Sequence, residues 1–273
     1  MNIAVLLSTY NSELYIIQQL NSIINQTFKS FTLYIIDDGS SDKTVNIINS
    51  FIKKYSNIVF LNYNNKGSKP LKSFIWLLEN VNANYYLFSD HDDIWIENKI
   101  EISLNKINEN ELLFPNKPIL VHTDLIVVDK NLNIIDNSFW KLSKINPKVL
   151  NTFNYLAVHN GVVGCTMIFN NLAKQSIKKI NKYSLMHDSW ITLCVLTNNG
   201  IIGYIETPTV YYRQHNNNVI GFNKPNTLLN MISLKIIKNS IISNYLRFKM
   251  INQIQNFSIQ KYFKYKILYL FLR

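Results

Sequence analysis

Residues 85–93 read Tyr-Tyr-Leu-Phe-Ser-Asp-His-Asp-Asp. The opening four are an apolar run of the kind that makes a buried strand, and Asp90, Asp92 and Asp93 follow within a few positions. Carboxylates a few ångströms apart raise one another's pKa and resist joint ionisation, so this crowding at a strand end is costly unless a cation neutralises it. A divalent metal is the simplest occupant. Upstream, the run Phe31-Thr32-Leu33-Tyr34-Ile35-Ile36 leads in the same way into Asp37-Asp38-Gly39. Two acidic strand ends in the N-terminal third point to one site at the edge of an open sheet, where ligands bind beyond the carboxyl ends of the strands.

Strand and helix patterns alternate through the first part of the chain. A strand over 2–8 precedes a helix over 13–25, in which Ile16, Ile17, Leu20, Ile23 and Ile24 recur at helical spacing. The strand over 31–37 passes through Gly39-Ser40-Ser41-Asp42, with Ser41 or Asp42 as N-cap, into a helix over 43–55. Strand 57–62, helix 70–80, strand 85–89 and helix 96–108 complete the series. Such alternation predicts an α/β fold, a mostly parallel sheet with helices on both faces. The second half is less regular: strand 119–128, a short strand 133–136, a polar irregular stretch 140–160, strand 165–169, helices 171–181 and 188–198, and strands 201–206 and 209–213. From about 225 long helical patterns dominate, with Leu228, Ile232, Ile236, Ile237 and Ile241 on one side of the first. The expected organisation is an α/β domain over 1–222 and a C-terminal helical extension over 223–273.

The chain has 273 residues, 47% apolar and 16% charged, which places it among folded globular proteins. Its net charge of +11 is unevenly placed: residues 226–273 carry eight Lys and Arg and no Asp or Glu. A basic tail interleaved with Ile, Leu, Phe and Tyr suits an anionic membrane surface better than nucleic acid. Cys165 and Cys194 have neither paired nor metal-type spacing. The N-terminus reads as a first strand and not as a signal peptide, and no apolar run approaches the roughly 18–20 residues that cross a bilayer. The expectation is a cytoplasmic protein lying peripherally on the inner face of the cell membrane.

In a doubly wound sheet Ser8-Thr9-Tyr10-Asn11, Asp37-Asp38-Gly39 and Asp90-His91-Asp92-Asp93 surround one crevice. None is a glycine-rich phosphate cradle, so a metal is the natural neutraliser of any bound phosphate. Oxygen-only ligands favour Mg or Mn over zinc. Read alone, Asp37-Asp38 is as compatible with a turn capping the next helix, and packing is the commoner role of a Tyr such as Tyr10; for the acidic triplet a solvated loop is the weaker alternative.

The order Ser8-Thr9-Tyr10-Asn11, Asp37-Asp38-Gly39-Ser40-Ser41-Asp42, Asp90-His91-Asp92 in the place of a DxD motif, His187-Asp188, and Tyr212-Arg213-Gln214-His215 resembles the family 2 glycosyltransferases with the GT-A fold. Gly164-Cys165-Thr166 extends the similarity to bacterial enzymes of surface-polysaccharide assembly, rhamnosyltransferases among them. The resemblance covers about 1–222 and implies roles residue by residue. Ser8, Tyr10 and Asp38 would hold the nucleotide, with Glu13 an addition; Asp90 would contact the ribose or a metal-bound water. Asp92 would ligate the metal that bridges the diphosphate, and His215 would ligate it too or contact the diphosphate, with Arg213 close by. Asp188 would be the base. One departure is that His187 stands where many members carry Glu.

An inverting transfer needs a base on one face of the anomeric carbon and charge neutralisation on the other, which Asp188 and the Asp92 metal would supply. The bland role for Asp188 is an N-cap. His159, Asn160 and Gly161 could recognise acceptor hydroxyls, and Trp140 and Trp190 could stack on a sugar, though core packing is their commoner role. The expected partners are a nucleoside-diphosphate sugar donor, with rhamnose from a dTDP donor the leading choice, a glycan or lipid-linked glycan acceptor, and a membrane surface; no nucleic acid is expected. The rival readings are a non-catalytic nucleotide-sugar or nucleic-acid binding protein, and a nucleotide-sugar hydrolase.

Overall fold

The computed structural model describes residues 1–67, 69–215 and 234–273. Its first strand, β1 (Ile3–Thr9), shows why the sheet is sandwiched. Side chains of a strand alternate between faces, and here both faces are apolar: Ile3, Val5 and Leu7 enter one core, Ala4 and Leu6 the other. The strand continues through α1 (Ile16–Ile24), β2 (Thr32–Asp37), α2 (Thr44–Ile52), β3 (Ile58–Phe60), α3 (Lys69–Asn80) and β4 (Tyr85–Ser89). These pair in parallel in the order β3-β2-β1-β4. The chain therefore winds outward from β1 through β2 and β3 and then crosses back to lay β4 on the other side of β1. That reversal is the switch point at which such sheets bind ligands.

Beyond β4 the sheet is mixed. The chain runs through β5 (Ile94–Trp95), α4 (Lys99–Leu113), β6 (Ile119–Val128), β7 (Ile134–Asp136), α5 (Phe139–Leu142) and α6 (Phe153–Val158). A 3₁₀ turn (Gly164–Thr166), β8 (Ile168–Asn170), α7 (Asn171–Gln175), α8 (His187–Thr197) and β9 (Ile201–Arg213) follow. β8 is antiparallel to both β4 and β6, β6 is parallel to β9, and the two-residue β5 closes on β9. The sequence pattern splits 201–213 into two strands because Glu206-Thr207-Pro208 is polar and ends in a residue without an N–H. The structure keeps one strand and absorbs Pro208 in a register shift opposite Asp124, the place a proline is tolerated inside a sheet.

The stretch 140–160 reads as irregular, yet it contributes Trp140, Leu150, Leu156 and Ala157 to the interior. The helices are too short to show a period, which is why the pattern hides them. The helix expected over 171–181 stops at Gln175, and the strand expected from 165 opens as the 3₁₀ turn.

The first core holds α1, α2 and α4; the second holds α3, α6, α8 and two C-terminal helices, α9 (Leu234–Ile254) and α10 (Ile259–Leu272). Met250 and Ile251 are fully buried, with Ile254, Phe257, Tyr262 and Tyr269 beside them. At about 1.5–3 kcal/mol for each fully buried aliphatic side chain, the basic tail is firmly packed on α6 and α8. Leu228, Ile232 and the expected boundary at 222/223 lie outside the described residues, as do the side chains of Ile236 and Ile237; Ile241 is exposed. Among the described residues no helix is long and apolar enough to cross a membrane.

Candidate active site

The crevice is built by stitching the β1 and β2 loops together. Asp37 is spent on the turn: its carboxylate accepts from the Gly39 and Ser40 N–H groups and from the Ser40 and Thr9 hydroxyls. Gly39 sits at φ +96°, a conformation that favours glycine. Asn11 Oδ1 accepts from the Ser41 N–H, and Glu13 accepts from the Lys43 N–H at 3.0 Å. Glu13 thus braces one loop against the other. Asp42 likewise accepts from Glu13 N–H and from Thr44 N–H at the start of α2. Asp38 is buried beside them; its N–H donates to the Thr9 carbonyl and its carboxylate accepts from Lys69 N–H. Tyr10 is about half exposed at 53% and Ser8 is partly buried, with the Ser8 carbonyl 3.4 Å from His91 Nδ1. The three strand ends are therefore contiguous.

The acidic loop after β4 is held from below by Arg213 at the end of β9. Pairing of Ile94-Trp95 with Tyr211 and Val210 brings that strand end alongside the loop. Arg213 is almost wholly buried and donates from Nε to the Asp92 carbonyl (2.7 Å), from its terminal amines to the Lys130 carbonyl and Gln18, and from its backbone to Asp93. Its guanidinium also lies 4.7 Å over the Tyr15 ring. Two residues on, His215 stacks on Tyr15 and places Nε2 2.8 Å from Asp92 Oδ2.

Burial would raise the Asp92 carboxyl, but the His215 hydrogen bond and the charges of His91 and His215 outweigh it and hold the group below its ordinary value. Among the described residues Asp90 has no such partner: burial, then Asp92, then Asp188 push it up to about 7. An excess of negative charge thus converges on Asp90.

Asp188 enters from α8. It lies in the first turn and not at the N-cap, which is Met186, so the positive end of the helix favours its anion. Burial pushes it up to about 6 against hydrogen bonds from Ser189 N–H, the Asn160 side chain and Gly164 N–H and the charge of Arg247. His187 points the other way, into Phe74 and Phe88 at ring distances of 4.4 and 5.0 Å, and burial pushes it down to about 3. A β-carbon on Gly164 would lie 2.4 Å from His187 Nε2. Gly164→Ala is therefore expected to overpack the turn that supplies an N–H to Asp188, costing about 1–3 kcal/mol. Thermal unfolding should show a lower Tm, and kcat should fall with it.

Two tryptophans do not line the site. Trp190 is fully buried with its indole N–H on the Lys178 carbonyl, and Trp140 packs edge-on against His122. Lys99, fully buried 4.9 Å over Trp95 with Nζ 3.3 Å from Thr209 Oγ1, underlies Asp93, and the sequence carries no signal for it. Arg247 and Gln18 also escaped the sequence reading.

The donors suit a hard divalent cation. Asp90, Asp93 and Cys165 offer ligand atoms within 4.8 Å of one another, but Asp93 and Cys165 are sealed from solvent and burial pushes the thiol well above its ordinary value. A protonated thiol is a poor ligand for a hydrated hard ion. Asp92 and His215 are less deeply buried, with 13% and 10% of their side chains exposed.

The family model described as Glycosyl transferase family 2 matches residues 4–175. The chain belongs to that family. It is a glycosyltransferase, and among curated relatives it is 29% identical over 228 residues to the dTDP-rhamnosyl transferase RfbG of Shigella flexneri, covering 80% of this chain and 74% of that one. An uncharacterized glycosyltransferase of Haemophilus influenzae is 34% identical over 112 residues, 41% of this chain and 44% of its own length. S. aureus TarS 1-349 in complex with UDP-GlcNAc superposes with a TM-score of 0.64 at 18% identity, over 99% of this family 2 chain and 72% of the TarS fragment. A mannosyltransferase from Pyrobaculum calidifontis, in complex with GDP-Man and Mn²⁺, gives 0.55 at 13% identity, over 75% of this chain and 54% of that one. The structural likenesses show the GT-A-like fold.

Proposed function

We propose that this family 2 enzyme transfers a sugar, with inversion, from a nucleoside-diphosphate donor to a hydroxyl of a growing surface glycan. The reading rests on one observation: burial, then Asp92 and Asp188, push the Asp90 carboxyl up to about 7, so the carboxylates of the β4 loop and of the first turn of α8 lie within electrostatic reach of one another. Ser8, Tyr10 and Asp38 hold base and ribose, and Asp90 meets the ribose or a metal-bound water. Asp92 and His215 hold Mn or Mg, which when bound supplies charge neutralisation for the departing diphosphate. Asp188 takes the proton of the acceptor hydroxyl. Rhamnose from a dTDP donor is the first donor to test, given the similarity to a protein named for that transfer. Incubating the protein with dTDP-rhamnose, UDP- and GDP-sugars, with Mn and with excess chelator, should give donor-selective turnover that chelator removes. Turnover indifferent to chelator overturns the metal role, and release of free sugar without acceptor would make the enzyme a hydrolase.

The acceptor is read as lipid-linked, with the enzyme peripheral on the inner membrane face. On α10 the inner face carries buried Tyr262 and Tyr269, while Phe263, Ile267 and Phe271 form an exposed stripe among lysines. Basic residues near anionic lipid contribute about 1 kcal/mol each, so half of the tail's eight gives about 4 kcal/mol. The protein should float with phosphatidylglycerol vesicles and remain behind with phosphatidylcholine ones; equal behaviour would sink the membrane reading.

A further inference from the structure

Arg247 belongs to α9, beyond the last residue matched by the family model, yet it reaches into α6. Its Nε donates to the Ala157 carbonyl and a terminal amine to the Leu156 carbonyl, both at 2.6 Å. Carbonyls in the last turn of a helix have no intrahelical N–H partner, and a planar guanidinium is shaped to take two acceptors at once. The chain then leaves α6 through His159-Asn160-Gly161. His159 stacks on Tyr269 of α10 at 4.7 Å, and Gly161 is pressed so closely on Leu150 that a β-carbon there would lie 2.3 Å from Cδ1. Asn160, clamped between them, hydrogen-bonds the Asp188 carboxylate.

We propose that Arg247 is a positioning residue: it fixes the turn that presents Asn160 to Asp188 and keeps that carboxylate oriented and anionic for proton abstraction. The inference rests on the reading of Asp188 as base. It makes the C-terminal helices a working part of the catalytic centre.

The groups facing Asp188 set the direction of the effect. Arg247 on α9 favours the anion, as do Asn160, Gly164 N–H and Ser189 N–H; Asp90 on the β4 loop is its like-charged neighbour, and His187 on the same helix is held neutral. Removing the cation leaves burial less opposed, so the carboxyl protonates at higher pH and the acidic limb of kcat moves up.

The test is the kcat–pH profile of the full chain with metal and donor. In Arg247→Met the limb should rise by about one pH unit, the low end of an Arg–carboxylate effect, with activity returning at alkaline pH and donor KM unchanged. Arg247→Lys, which keeps the charge, should hold the limb near its original place. Asn160→Ala should move it in the same direction as Arg247→Met. A folded Arg247→Met whose limb overlays the parent overturns the proposal; if that variant does not fold, an unmoved limb in Asn160→Ala does so. Full activity in Asp188→Asn would instead remove the base itself, a failure separable from that of Arg247.

Discussion

Asp188→Asn should lower kcat by roughly 10²–10⁴-fold, the usual worth of a positioned general base, while nucleotide binding stays as it was. An amide keeps an oxygen that can accept from the Ser189 N–H but cannot take a proton from an attacking hydroxyl. The side chain is buried in the first turn of α8, and the substitution is nearly isosteric, so the fold is expected to survive. The parent enzyme should lose kcat as pH falls through about 6, where burial has placed this carboxyl. Its anion predominates above that value and its neutral acid below. The variant should show no such limb. A profile with the limb intact in Asp188→Asn assigns proton abstraction to another group. Isothermal titration with donor nucleotide, run beside the kinetics, separates loss of chemistry from loss of binding.

Asp92→Asn should also abolish transfer, but by the other route. It removes the carboxylate that pairs with His215 at 2.8 Å and leaves the loop's backbone in place, because Arg213 grips the Asp92 carbonyl and not its side chain. Loss of groups that merely orient a metal ligand costs about 10–100-fold in affinity, so loss of the ligand itself is expected to cost more than about 100-fold. Titrating Mn into protein with a nucleoside diphosphate should show metal-dependent binding weakened in Asp92→Asn and unaltered in Asp188→Asn. Equal weakening in both would undo the division between a leaving-group end and a base end.

The strands that frame this site were legible because their signal is local. Residues 85–88 are an apolar run and 119–128 hold two apolar stretches on either side of His122-Thr123-Asp124, and the structure has strands over 85–89 and 119–128. The carboxylates after β4 and β2 stand out by simple adjacency. What escaped was set by partners far apart in the chain: Arg213 against Gln18, Lys99 beneath Asp93, and Arg247 against α6. A lone Lys or Arg in sequence reads as a solvated charge, and nothing in its neighbours announces burial. The irregular stretch 140–160 failed for a related reason, since four- and six-residue helices take their stability from the surface they cover.

Alternation and acidic strand ends were enough, by themselves, to define an α/β sheet with a charged crevice at its reversal, because strand period, helix period and like-charge repulsion act over a few residues. Only tertiary packing decided which of those acids serve the turn and which face the crevice. It spent Asp37 on hydroxyls and amides, gave Asp92 a histidine, left Asp90 between two like charges, and set an arginine from the basic tail behind Asp188. Those outcomes depend on desolvation and on charges brought together across the fold, quantities that exist only once the chain has closed on itself.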